Sequence, residues 1–100
     1  MPKTVNRLTA LKVQKLKKPG WYADGGGLYL QISPSGSKSW VFRYVLHSRE
    51  HRHGLGSYET ISLIKARQYA EECRVLKKEG IDPIQFKRAK NAETALKEAN

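Results

Sequence analysis

Cysteine occurs once, at Cys73, so the chain can close no disulfide within itself, and nothing in it argues for an oxidising compartment. Long apolar runs are missing as well. No stretch approaches the roughly 18 apolar residues that a membrane span needs, and Met1-Pro2-Lys3-Thr4 opens without the apolar core of a secretory signal. The expectation is a cytosolic protein with no membrane partner. Acidic residues are scarce: nine Asp and Glu stand against nineteen Lys and Arg, a net charge of +10. The shortage is uneven. Residues 1–56 set ten basic side chains against only Asp24 and Glu50, whereas residues 57–100 set nine against seven. A field concentrated in that way implies a polyanionic partner, nucleic acid first and an anionic membrane or acidic protein second. One hundred residues suffice for one small domain.

Catalytic and metal-binding patterns are also lacking. His47, His51 and His53 have no Cys or carboxylate at zinc-site spacing, so neither metal nor cofactor is expected. Gly25-Gly26-Gly27 lacks the Gly-Lys-Ser/Thr ending of a phosphate loop, and Gly36-Ser37-Lys38-Ser39 leads into a strand where such a loop would lead into a helix. No Ser/His/Asp or paired-carboxylate constellation stands out. The chain reads as a binding module without a catalytic centre.

What is present is a sequence of changing periods. Thr9 can cap a short helix from Ala10 to about Leu16, with Leu11, Val13 and Leu16 as its apolar contacts, ended by Lys17-Lys18-Pro19-Gly20. Trp21-Tyr22-Ala23 is a short strand or extended piece before the turn Asp24-Gly25-Gly26-Gly27. The period then becomes two. Leu28, Leu30 and Ile32 share one face, Tyr29, Gln31 and Ser33 the other. After the turn Pro34-Ser35-Gly36-Ser37, a strand from Ser39 to Leu46 puts Trp40, Phe42, Tyr44 and Leu46 opposite Val41, Arg43 and Val45. His47 to Glu50 forms a polar connection to a third strand, His51 to Gly56.

Ser62 caps a helix whose Leu63, Ala66, Ala70, Cys73 and Leu76 form one apolar stripe. Gly80 closes it, and Pro83 prevents its resumption. The expected fold is α+β: a three-stranded antiparallel meander packed on one C-terminal helix, with a short N-terminal helix. Residues 1–83 form the domain, and 84–100 begin a linker or helix expected to continue into a longer protein.

The order Leu8-Thr9, Tyr22-Ala23-Asp24-Gly25-Gly26-Gly27-Leu28-Tyr29-Leu30, Pro34-Ser35-Gly36-Ser37-Lys38-Ser39-Trp40, Phe42-Arg43-Tyr44, Leu55-Gly56-Ser57-Tyr58, Ser62-Leu63, Ala66-Arg67 and Gly80-Ile81-Asp82-Pro83 resembles the N-terminal arm-binding domain of prophage-type tyrosine-recombinase integrases. The resemblance covers about residues 8–83. It implies a sheet backed by a helix, the sheet's free face entering the major groove of arm-type double-stranded DNA sites, in a bacterial, cytoplasmic protein. It places the catalytic tyrosine in a further C-terminal domain. Family members often carry a Gly-Lys turn where this chain has His47-Ser48-Arg49-Glu50.

The candidate DNA-binding residues follow from the open face and the charge. Tyr29 offers a hydroxyl to phosphate, and Gln31 and Arg43 can make paired hydrogen bonds to base edges. Lys38, Arg49 and Arg52, at or near strand ends, would hold the backbone, with Lys3 and Arg7 on a basic arm. Trp40, Phe42 and Tyr44 could stack on bases in an RNA-binding or ribosome-associated module, but their alternation favours core. The Arg67, Glu71, Arg74 and Lys78 side of the helix could instead dock a neighbouring protomer or an excision factor.

Overall fold

The computed structural model describes residues 7–98, with side chains through Glu93. Lys3 lies outside the described residues. The elements run α1 (Ala10–Lys15), β1 (Gly20–Gly25), β2 (Leu28–Ile32), β3 (Lys38–Leu46), β4 (Arg49–Ser57), α2 (Leu63–Lys78) and α3 (Pro83–Glu98). The strands form one antiparallel meander in the order β1-β2-β3-β4.

Four strands replace the expected three. The aromatic piece after Pro19 is a full partner of β2, pairing Trp21 with Gln31, Tyr22 with Leu30 and Ala23 with Tyr29. A register irregularity between Ala23 and Gly25 leaves Asp24 as the extra residue and turns its side chain into the interior, where it is 2% exposed. Gly27 in the following turn has φ +94, and a Cβ there would sit 2.7 Å from the Arg43 carbonyl oxygen. Only glycine meets both requirements.

The β3–β4 connection is tighter than the expected four-residue loop. Leu46 pairs with Arg49, leaving His47 and Ser48 alone at the turn with φ of 52 and 64. Positive φ at both central residues is the signature of a type I′ hairpin, whose twist matches that of the flanking strands. Arg49 and Glu50 therefore belong to β4. A second irregularity, between Trp40 and Val41, makes Leu55 the extra residue, and it too is buried.

Alternation divides the sheet as expected. Leu28, Leu30, Ile32, Trp40, Phe42 and Tyr44 turn inward and meet Leu63, Ala66, Ala70 and Cys73 of α2. The two alanines, both fully buried, let the helix lie close to the sheet. Trp40 satisfies its indole N–H with the Ile61 carbonyl at 2.7 Å. Ser62 caps α2 by accepting from the Lys65 amide, and α2 ends as expected: Gly80 (φ +80) donates to the Lys77 carbonyl and Ile81 to that of Leu76.

Two further expectations need correction. Leu11 faces away from the core at 59% exposure, so Leu8 and Val13 carry the burial at this end. Pro83 does not stop the helical course for long. It is the first residue of α3, where its missing N–H costs nothing, and Asp82 caps the new helix through the Ile84 amide at 2.9 Å. The Tyr44 hydroxyl donates to the same carboxylate oxygen, tying β3 to the α2–α3 joint.

Candidate nucleic-acid interface

With α2 on one side, the sheet presents its other side to solvent. The registers place Trp21 from β1, Tyr29 and Gln31 from β2, Ser39, Val41, Arg43 and Val45 from β3, and Glu50 and Arg52 from β4 on that side. Among the expected site residues, Tyr29, Gln31, Arg43 and Arg52 are thus brought together. Arg43 and Arg52 are direct cross-strand partners, although like charges so placed repel.

The surrounding groups show why the two cations can share the face. The Arg43 guanidinium lies 5.1 Å from the Tyr29 ring centre and 5.6 Å from that of Trp21, and Arg52 lies 5.2 Å from Trp21. Trp21 and Tyr29 pack edge to face at 5.8 Å. Aromatic faces attract cations through their quadrupoles. Arg43 also pairs with Glu50, donating from Nε at 2.8 Å and from Nη2 to the same carboxylate oxygen. That contact raises the Arg43 pKa above its ordinary value and holds the Glu50 carboxyl below its own.

Trp21 is the functional candidate that sequence reasoning missed. It is 38% exposed and carries both arginines on its ring. Its alternation with Tyr22 was a usable signal once β1 is paired with β2, because Trp21 then falls opposite Gln31 on the open face.

The remaining expected residues lie elsewhere. Lys38 shares the parity of Trp40 and turns to the helix side, where its ammonium donates to the Val13 and Gln14 carbonyls at 2.8 and 3.0 Å. It satisfies the C-terminal end of α1 and lies 5.5 Å from the Tyr58 ring centre. Arg49 is exposed beside the His47-Ser48 turn, paired with Leu46 and so on the helix-side parity. Arg52 is in the middle of β4, not at a strand end. Arg7 is exposed, and its amide donates to the Asp24 carbonyl at 3.0 Å.

Among the described residues no group of three or more His, Cys, Asp or Glu side chains is placed to hold a metal ion. No helix formed by them is long and apolar enough to cross a membrane. The Cys73 thiol, buried beneath the sheet, is pushed up to about 11, chiefly by burial, which suits a core residue better than a nucleophile.

Comparison with known proteins identifies the family. Residues 8–90 match the arm DNA-binding domain family. The chain is 44% identical to prophage integrase IntZ of Escherichia coli over 70 residues, 70% of this chain and 17% of that protein. It is 37% identical to the integrase of Enterobacteria phage P4 over 94 residues, 89% of this chain and 21% of that protein. It is also 37% identical to the integrase of Shigella phage Sf6 over 86 residues, 86% of this chain and 22% of that protein. The chain thus spans less than a quarter of the length of these relatives. With a basic sheet face left open by its helix and a family match over most of its length, this chain belongs to the arm DNA-binding domain family.

Proposed function

We propose that this domain binds arm-type sites in duplex DNA by laying the open face of its sheet in the major groove, and that it serves an integrase in site-specific integration and excision of a mobile element. The observation that carries the reading is the grouping of Tyr29, Gln31, Arg43 and Arg52 on the one sheet face that α2 leaves uncovered. The major groove is about 12 Å wide, admits strands, and presents a distinct donor and acceptor pattern for each base pair. Gln31 and Arg43 have the paired hydrogen-bonding groups needed to read that pattern, while Arg52 supplies a phosphate contact.

The test compares Arg43→Ala with Arg52→Ala on the attachment-region DNA that the protein protects from nuclease and on random duplex. Arg43→Ala should cost about 1–3 kcal/mol on the protected site and much less on random DNA. Arg52→Ala should weaken both by a similar factor and flatten the salt slope by about one. Equal losses on both DNAs for Arg43→Ala would reduce it to a backbone contact. Tighter binding to single strands than to duplex would favour an RNA-type module instead.

A further inference from the structure

The open face contains one group that a DNA-binding surface should avoid. Glu50 is the sole acid among the sheet residues on that side, and a carboxylate next to phosphates repels them. Its position gives it another use. Glu50 pairs with Val45 while Arg43 pairs with Arg52, so the acid reaches Arg43 along a diagonal across β3 and β4. There it accepts from Nε and Nη2 with a single oxygen, Oε1. One edge of the guanidinium is thereby taken, and the Nη1–Nη2 edge lies outside the pair. The rings of Tyr29 and Trp21, 5.1 and 5.6 Å away, restrain the same group from another side.

A free arginine has several rotatable bonds to fix before it can make two parallel hydrogen bonds to one base, and a guanidinium already held by a carboxylate and two rings has few left to lose. We infer that Glu50 is a positioning residue for sequence reading: it fixes Arg43 so that the Nη1–Nη2 edge can engage O6 and N7 of one guanine, and its charge discourages phosphate from taking Arg43 instead. This rests on the reading that the open face lies in the major groove.

The experiment uses the full chain with Glu50→Gln, Arg43→Ala and the double variant. Each is bound to the nuclease-protected duplex, to random duplex of equal length, and to a series of protected duplexes in which one guanine at a time is replaced by 7-deazaguanine, which lacks the N7 acceptor. Wild type should lose about tenfold in affinity at one guanine. Glu50→Gln should bind random duplex as tightly as wild type or more tightly, lose about tenfold of its preference for the protected site, and no longer register the loss of that N7. Arg43→Ala should lose sensitivity to the same guanine, and the double variant should lose no further preference. Because the pair is on the surface, melting temperatures should change little. If Arg43→Ala keeps full preference, the major-groove reading itself fails. If Arg43→Ala loses preference while Glu50→Gln keeps both it and the N7 dependence, the positioning role alone is overturned. Equal weakening of Glu50→Gln on both duplexes would overturn it too, since that is what a merely structural pair would give.

Discussion

Arg67 grips Asp24 with two hydrogen bonds, Nε to Oδ2 at 3.0 Å and Nη2 to Oδ1 at 2.9 Å. Asp24 also accepts from the Leu8 amide at 2.9 Å, and Arg67 donates to the Leu8 carbonyl at 2.6 Å. The pair therefore fastens Leu8, the bulge in β1 and the first half of α2 to one another. It raises the Arg67 pKa, the Asp24 hydrogen bond being the main cause.

The two partners are unequally buried, and their removal should have unequal effects. The Asp24 side chain is 3% exposed and that of Arg67 27%. Arg67→Ala strands a carboxylate in the interior and should cost about 3–5 kcal/mol. Asp24→Asn leaves an arginine that can turn toward water, and a smaller loss of about 1–3 kcal/mol is expected. Urea unfolding of both variants checks the order; a larger loss for Asp24→Asn would contradict it.

Trp40→Ala should lose about 3–5 kcal/mol. The indole is fully buried between sheet and helix, and its truncation also removes the donor to the Ile61 carbonyl. That is a large share of a small domain's stability. An unchanged thermal midpoint would mean that the two sheet faces had been assigned the wrong way round.

Acid should weaken the fold in two stages. The His53 imidazole is held below its ordinary 6.5, by burial first and by nearby Lys87 second, with Asp82 opposing. Folding thus favours neutral His53, and its contribution is present above pH 6.5 and lost as the pH falls through the lower folded value. Asp82 is held below its ordinary 3.8, mainly by the Tyr44 hydroxyl, so its contribution is present above that value and disappears at still lower pH. The fall in thermal midpoint between pH 7 and 5 should be shallower in His53→Gln than in wild type. Parallel curves for the two proteins would remove His53 from the explanation.

Salt should report the phosphate contacts. If the domain neutralises about six phosphates, log K should fall with log salt at a slope of about −5. Fluorescence anisotropy with a labelled duplex at several salt concentrations reads it directly. Binding that ignores salt would leave the basic surface of the first 56 residues without a role.

Much of this was legible from period and caps. Alternation in β2 and β3 assigned their faces correctly, and Ser62 and Gly80 bounded α2. β1 was only half legible. The five residues between Pro19 and the glycine run at Gly25 give too short an alternation to show a pairing, and the Asp24 bulge breaks it further. The His47-Ser48 turn was hidden because residues that favour positive φ, such as Asn and Gly, are absent from its two central positions. Without that turn, Glu50 read as loop and its reach to Arg43 could not be seen. The helix-side position of Lys38 was available from its shared parity with Trp40. Its use, satisfying carbonyls of α1, depends on where that helix lies in space.

The most direct test of the account is amide chemical-shift mapping of the isotope-labelled domain titrated with its protected duplex. The largest shifts are expected at Trp21, Tyr29, Gln31, Arg43 and Arg52, with the exposed side of α2, at Glu71, Lys77 and Lys78, nearly unmoved. Shifts concentrated on α2, with the open sheet face unchanged, would contradict it.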